Sequence, residues 1–284
     1  MESQARHPST VSERAERDLA SIGPAIRFGA AVAGQYDAGR ALPAEVMEAL
    51  HWQIVDAAGL APGAAVVDVG AGTGALAGPF LRDSFSYVGL DASGAMLRQF
   101  HAAYHRALQA VPQVVQADLL ALPLQDSSFD LVLAFRVFGV VRGWRRGIRE
   151  CLRVLRTGGH LIAGRVERGP GSLHEIVRSE RNRLLEQAGS QTRRPGGDDS
   201  AVVQTLAAEA EFEARLGPVA WTVRTTPRRI LEQNLTGWRI QALPPAERDE
   251  LRSRLSAALT ARCGSLDSEF EEPAAVMLHS FRKR

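Results

Sequence analysis

The stretch Val66-Val67-Asp68-Val69-Gly70-Ala71-Gly72-Thr73-Gly74-Ala75-Leu76 joins an apolar run ending in an acid to a glycine turn. The chemistry such a turn performs is binding. Glycine takes φ > 0 without strain and carries no Cβ, so a ligand can lie against bare backbone, and a helix opening next offers unpaired N–H groups. The residues predict a nucleotide-like ligand. The spacing is G-x-G-x-G, and Ala75 keeps the dinucleotide fingerprint G-x-G-x-x-G/A open. Two more acids, Asp91 and Asp118, each follow a short apolar run, where an acid serves equally as a ligand to hydroxyl or amino groups, a helix cap or a turn former.

The elements that hold these residues alternate. Residues 41–60 predict a helix with Val46, Met47, Leu50, Ile54 and Val55 on one stripe, Pro43 near its start and Gly59 as its stop. After the glycine turn, Tyr87–Leu90 is a buried strand ending at Asp91. Ser93 then caps a helix that carries Met96, Leu97, Phe100 and Tyr104. Val114-Val115 is a third strand ending at Ala117-Asp118, and Phe129–Ala134 is a fourth, introduced by the turn Gln125–Ser128. A helix with Trp144, Ile148, Leu152 and Leu155 on its apolar side follows; its arginines at 142, 145, 146, 149, 153 and 156 are expected on a solvated face. The helix ends at Thr157-Gly158-Gly159 and a fifth strand runs from His160 to Val166. Short apolar strands alternating with amphipathic helices predict a parallel sheet covered on both faces, with ligands at the carboxyl ends of the strands. Past residue 167 the rhythm changes. Residues 171–189, 199–216, 227 onward and 245–262 predict helices, Val219–Thr225 a strand and Ala275–Phe281 a closing strand.

Length and composition set limits. A chain of 284 residues, 45% hydrophobic and 23% charged, can bury a full α/β core. Thirty-four basic against 32 acidic residues leave a net charge of only +2, which argues against a nucleic-acid partner, and Lys283 is the only lysine. No apolar run approaches the roughly 18 residues of a membrane span. Residues 1–21 are polar, without an apolar targeting core, and are expected to be mobile; the protein is expected in the cytoplasm. Cys151 and Cys263 fit neither a disulfide framework nor a metal spacing, and no metal is expected.

Three features coincide in order and spacing: Asp68–Gly74 after strand one, Asp91 at the end of strand two, and Gln116-Ala117-Asp118 followed by Leu122-Pro123-Leu124-Gln125-Asp126-Ser127-Ser128-Phe129-Asp130. Together with Arg153-Val154-Leu155-Arg156-Thr157-Gly158-Gly159, they resemble the class I S-adenosylmethionine-dependent methyltransferases, in the small-molecule branch of the ubiquinone and menaquinone biosynthesis methyltransferases (methyltransferase type 11 domain). The resemblance covers about residues 64–166. It implies an α/β fold, Rossmann-like and doubly wound, with a mostly parallel seven-stranded sheet, an antiparallel last strand and a helical substrate cover. It further implies one methyltransferase domain over 22–284, its core at 64–166 and its cover drawn from 22–60 and 167–270.

The resemblance also implies a set of cofactor contacts. Gly70, Ala71, Gly72 and Gly74 would receive the methionine and ribose portions of S-adenosylmethionine. Asp68 would lie near the ammonium, Asp91 would accept from the ribose hydroxyls, and Asp118 from the adenine amino group beside the Leu119 amide. Ala92 and Met96 would line the adenine pocket, with Ala134 near the methionine end. Tyr36-Asp37-Ala38-Gly39-Arg40 resembles an element that folds over the methionine end, making Tyr36 and Arg40 candidate contacts to its carboxylate. Where relatives carry a histidine just past strand four, this chain reads Arg136-Val137-Phe138, so no general base is identified and only His174 is placed to reach the mouth. Phe135, Phe138, Trp144, Trp221 and Trp238 are candidates for an apolar acceptor pocket. The activity implied is methyl transfer to a small-molecule acceptor. The alternatives are a cofactor-binding protein without transfer and a nicotinamide-dependent oxidoreductase; the oligomeric state is not legible.

Overall fold

The computed structural model describes residues 33–34, 36–37, 40–83, 85–108, 112–187, 196–237, 240 and 243–284. The expectations for residues 1–21 and for Trp238 lie outside these. In chain order the elements are α1 (Ala44–Ala57), β1 (Ala65–Val69), α2 (Ala77–Arg82), β2 (Ser86–Asp91), α3 (Gly94–Leu108), β3 (Gln113–Gln116) and β4 (Phe129–Phe135). They continue with α4 (Trp144–Val154), β5 (Leu155–Arg168), α5 (Leu173–Gln187), α6 (Asp199–Glu209), β6 (Glu211–Thr225), α7 (Pro227–Leu235), α8 (Pro245–Cys263) and β7 (Phe270–Arg282).

Seven strands form one sheet in the order β3-β2-β1-β4-β5-β7-β6. Strands β1 to β5 are parallel, and β7 inserts antiparallel between β5 and β6. The chain leaves β1 toward β2 and β3, then returns to the other side of β1 with β4. The order therefore reverses between β1 and β4, and at such a switch point the connections diverge and leave a crevice at the carboxyl edge.

Strand alternation sends neighbouring residues to opposite faces, which explains the two apolar layers. On one face Val66, Leu131, Leu133 and Ile162 meet Val46, Leu50 and Ile54 of α1, Phe80 of α2 and Phe100 of α3. On the other, Val67, Val69, Val132, Ala134 and Leu161 meet Trp144, Ile148 and Cys151 of α4 and Leu206 of α6. Leu50, Ile54 and Phe100 are fully enclosed, and burial of such side chains stabilises by about 1.5–3 kcal/mol each. Helix α1 is therefore a layer of the sheet body, although it falls within the 22–60 segment expected in the cover. A third cluster, with Val177, Leu184, Ile230, Leu231, Leu251 and Leu255, is built by α5, α7 and α8. It stands beyond the carboxyl ends of β5 and β6.

Several boundaries differ from the sequence reading, among them the start of the closing strand, which begins at Phe270 and not Ala275. The helix expected over 199–216 stops at Glu209, and residues from Glu211 belong to β6. This strand edges the sheet and exposes Phe212, so its outward residues interrupt the apolar alternation that marks a strand. Strand β5 begins at Leu155, which pairs with Phe129, and a register shift carries the chain past Gly158, φ +81°, to His160 opposite Leu131. Strand β3 stops at Gln116. In α4 the buried side is Trp144, Gly147, Ile148, Cys151 and Val154. Most of its arginines face outward, but Arg153 turns in to hold the Leu122 and Leu124 carbonyls and the Glu150 and Asp126 carboxylates. Among the described residues, no helix is long and apolar enough to cross a membrane.

Candidate functional site

The glycine turn leaves β1 at the switch point and is fixed from β2. The amides of Gly70 and Ala71 both donate to the Leu90 carbonyl, at 2.7 and 2.9 Å. The Gly72 amide donates to Asp91 Oδ2 at 2.9 Å, and the Ser93 amide to Asp91 Oδ1 at 2.8 Å. One carboxylate at the end of β2 thus sets both the turn and the start of α3. Each of its oxygens retains a lone pair for a ligand. Burial raises the Asp91 pKa, against the two backbone N–H groups that lower it.

Each of the turn's glycines has a different neighbour. All have φ > 0: +71° at Gly70, +58° at Gly72 and +91° at Gly74. A Cβ on Gly70 would fall 2.5 Å from the Val137 side chain, and one on Gly74 would fall 2.6 Å from the Tyr104 ring. These two glycines admit neighbouring protein. Gly72 alone has room, its nearest side-chain atoms being Met96 Cε at 3.4 Å and Asp91 Oδ2 at 4.0 Å. The place where a ligand can approach the backbone is therefore Gly72, with Met96 as wall and Asp91 as acceptor.

Asp68 lies two residues before Gly70, the turn's first glycine, and is 3% exposed. Its Oδ2 accepts from the Tyr87 hydroxyl at 2.9 Å. The two side chains share a face because Asp68 is in register with Gly89, two residues beyond Tyr87. Burial pushes the Asp68 carboxyl up to about 7, the Tyr87 hydroxyl opposes this, and the Asp91 charge adds to it. A cation placed against it would favour its ionised form. Ala92 is exposed and its carbonyl accepts from the Gln116 amide at 3.1 Å; Met96 is buried. Asp118 is half-buried at the end of β3, with Oδ1 accepting from the Leu120 amide at 2.9 Å. The Leu119 side chain packs against Gly147 of α4, and Ala134 is buried in β4 opposite Ala163.

The segment before α1 reaches this site through a contact the sequence did not suggest: the Thr73 hydroxyl donates to Asp37 Oδ1 at 2.5 Å. Arg40 stacks over the Tyr36 ring, 4.8 Å from its centroid, and its guanidinium donates to the Tyr36 and Gln233 carbonyls. Arg40 therefore ties this segment to α7. Burial lowers its pKa, and Arg136 lowers it further while Tyr36 and Asp37 oppose.

The cover is locked to the sheet by His174. Its Nδ1 lies 2.6 Å from Glu272 Oε2 and its Nε2 2.8 Å from Gln233 Oε1, while Glu272 Oε1 accepts from the Leu173 amide. Both ring nitrogens are thus engaged. The other described histidines are held elsewhere: His51 against Asp83, His160 against Glu213, His101 stacked on His105 and His279 near the Phe212 ring. The aromatic candidates do not converge. Phe135 faces the α1 layer, while Phe138 and Trp144 face α4 and α6, because alternation and the α4 helix place them on opposite sides of the sheet. Trp221 lies half-buried on β6. An open groove of about 550 Å³ instead lies past the end of β5, with Gly169, Leu173, Ile176, Phe270, Glu272 and Pro273 on its walls. Among the described residues no cluster of three His, Cys, Asp or Glu side chains is arranged for a metal, and both cysteines are unpaired.

Residues 67–163, the switch point with both its acids, match the model of a methyltransferase domain. Over these residues the chain is similar to a methyltransferase domain. Over 138 residues it is 38% identical to a malonyl-[acyl-carrier protein] O-methyltransferase of Methylococcus capsulatus, a match covering 48% of either chain. Over 109 residues it is 34% identical to a demethylmenaquinone methyltransferase of Renibacterium salmoninarum, covering 38% of this chain and 44% of that one. The chain spans about half the length of these curated relatives. The crystal structure of the YcgJ protein from Bacillus subtilis has the same fold at 16% identity, with a TM-score of 0.56 over 82% of this chain and 99% of that one. The family match ends within β5, and β6, β7 and the α5–α7–α8 cover lie outside it.

Proposed function

We propose that the chain transfers a methyl group from S-adenosylmethionine to a small-molecule acceptor in the cytoplasm. The observation that carries this reading is the Asp91–Gly72 clasp at the switch point. It combines an open backbone approach with a carboxylate suited to a pair of vicinal hydroxyls, and a second acid, Asp118, stands one strand farther out.

The residues present fit that cofactor. Asp91 would hold the ribose hydroxyls, Asp118 with the Leu119 amide the adenine edge, and Ala92 and Met96 the adenine faces. Ala71 and Gly72 would receive the methionine part beside Ala134, with Asp68 toward the ammonium, while Gly70 admits Val137. Gly74 supports the turn by admitting Tyr104, and Tyr36 and Arg40 would close over the methionine end. S-adenosylmethionine supplies a methyl group already activated on a sulfonium. What remains for the chain is alignment of the acceptor and exclusion of water, which account for most of the acceleration in such displacements. The α5–α7–α8 cover and the groove beneath it would do this.

Calorimetry tests the reading. S-adenosylhomocysteine should bind and NAD should not; tighter binding of NAD would replace transfer by hydride chemistry. Methyl-labelled cofactor incubated with a metabolite extract should yield a labelled small molecule, and binding without any labelled product would leave a cofactor-binding protein.

A further inference from the structure

Three guanidiniums stand together where β4 and β5 end. Arg136 follows the last residue of β4 with φ +60°, a left-handed conformation that non-glycine residues adopt rarely and at a cost. Its amide is held by the Gly164 carbonyl at 2.8 Å, and Val137 packs on Gly70, so this strained residue sits directly beside the glycine turn. Its side chain lies over the Phe135 ring, 4.8 Å from the centroid. Arg168 is the last residue of β5. Its charge and that of Arg40 both lie close enough to Arg136 to repel it.

The described residues leave these charges without an ion-pair partner. Among the described residues no carboxylate lies within ion-pair distance of Arg136 or Arg168. The carboxylates acting on the group are Asp37, on Arg40, and Glu272, on Arg168. Asp37 is already bound by Thr73, and Glu272 by His174 and the Leu173 amide. Arg168 Nη1 is closed from solvent and has no hydrogen-bond partner among the described residues. A buried donor left unpaired costs about 1–3 kcal/mol, more when charged, so a fold that keeps one there has a use for it. A sulfonium bound at the adjacent turn would add a further positive charge.

We propose that the acceptor is an anionic amphiphile, with a carboxylate or phosphate between Arg136 and Arg168 and an apolar portion in the groove that begins at Gly169. This deepens the methyltransferase reading and rests on it. The guanidinium fork matches either anion with paired donors. The groove walls of Leu173, Ile176, Phe270 and Pro273 take an apolar chain. The left-handed backbone at Arg136 is accompanied by a guanidinium lying over the Phe135 ring at the end of β4.

The test uses the full chain saturated with S-adenosylhomocysteine and titrated calorimetrically with octanoate, octyl phosphate, octanol and octylammonium. One or both anions should bind at least about tenfold tighter than octanol, and octylammonium weaker than octanol. The better anion decides between carboxylate and phosphate. In Arg136→Gln/Arg168→Gln the anion preference should collapse, while affinity for S-adenosylhomocysteine, measured on the same sample, confirms that the site is folded; Arg136→Lys/Arg168→Lys should restore part of the preference. Octanol binding as well as the anions, no binding of any probe, or a preference that survives the double Gln variant would each overturn the proposal. Loss of S-adenosylhomocysteine binding by the unsubstituted chain would instead count against the cofactor reading.

Discussion

Asp91 Oδ2 accepts the Gly72 amide at 2.9 Å across the gap between β1 and β2. Because Asp91 Oδ1 also accepts the Ser93 amide, one carboxylate couples the glycine turn to the start of α3. The loop that receives a ligand and the helix that carries Met96 therefore cannot move independently. The cradle is preorganised by its own acid, and a ligand taking the remaining lone pairs completes the set of partners.

Substituting the glycines separates binding from folding. In Gly72→Ala the new Cβ meets Met96 Cε at 3.4 Å, so the structural cost is the left-handed φ, about 1–2 kcal/mol. The methyl group then projects where the ligand must lie. Affinity for S-adenosylhomocysteine should fall at least about tenfold while the melting temperature drops modestly. Gly74→Ala drives a Cβ to 2.6 Å from the Tyr104 ring and endangers the 2.6 Å bond from Tyr104 to the Gly74 carbonyl. Overpacking of about 1–3 kcal/mol adds to the same strain, and denaturant unfolding should show Gly74→Ala to be the less stable of the two.

Asp91→Ala should weaken S-adenosylhomocysteine binding by about 100-fold or more, since charge-assisted bonds of about 1.5–3 kcal/mol each are lost to two hydroxyls and the turn is released. His174→Ala, whose imidazole meets Glu272 and Gln233, should lower stability with a much smaller effect on that affinity. Calorimetry on both variants decides; an unchanged constant for Asp91→Ala would remove the ribose role.

The sheet and switch point were legible because both depend on local signals. Asp68 through Gly74 marks a strand-to-turn transition by residue type alone, and α1 announces itself by Val46, Leu50 and Ile54 at spacings of four. What escaped depends on distant partners. Gly70 and Gly74 look like ligand glycines until Val137 and Tyr104 are seen against them. The first half of β6, read as the end of a helix, was hidden because an edge strand can leave Phe212 exposed, whereas Val219–Thr225 was read as strand; the aromatic candidates could not be sorted to opposite faces without the register of β4. Arg136 and Arg168 carry no sequence signal of their own, being two arginines in an arginine-rich chain.

Asp68 makes stability depend on pH. Its folded pKa of about 7 exceeds the unfolded value of about 3.9, so the folded state binds the extra proton between these values. Stability without cofactor should be greatest below about pH 4 from this group and decline until about pH 7, by up to about 4 kcal/mol at 1.36 kcal/mol per unit. Asp68→Asn should flatten that slope in thermal unfolding from pH 5 to 8. It should also weaken binding of the ammonium-bearing cofactor. A slope unchanged in the variant would assign the proton elsewhere.

Glu272 acts in the opposite direction. Burial raises its pKa, but the His174 and Leu173 contacts outweigh this and hold it below the usual carboxylate value. A depressed acid contributes stability that is present above its unfolded pKa of about 4.3 and is lost as pH falls through the folded value. Glu272→Gln should therefore destabilise at pH 7 by about 1.5–3 kcal/mol and matter less at pH 3. Equal losses at both pH values in denaturant titrations would show a packing effect without a charge.

Closure of the cover follows from how it is attached. The α5–α7–α8 cluster has its own apolar core, and its polar ties toward the site are Arg40 to the Gln233 carbonyl, and His174 and the Leu173 amide to Glu272. Polar ties in partly solvated surroundings contribute about 0.5–1.5 kcal/mol each, against far more for an apolar core, so the cluster should swing as a unit while the sheet stays fixed. Such a motion admits an acceptor and then excludes water. Hydrogen exchange with S-adenosylhomocysteine and octanoate should show slowed exchange around Tyr36, in α5 and in α7, beyond the protection that S-adenosylhomocysteine alone gives to residues 68–96. Protection confined to residues 64–134 under both conditions would place the acceptor outside the cover.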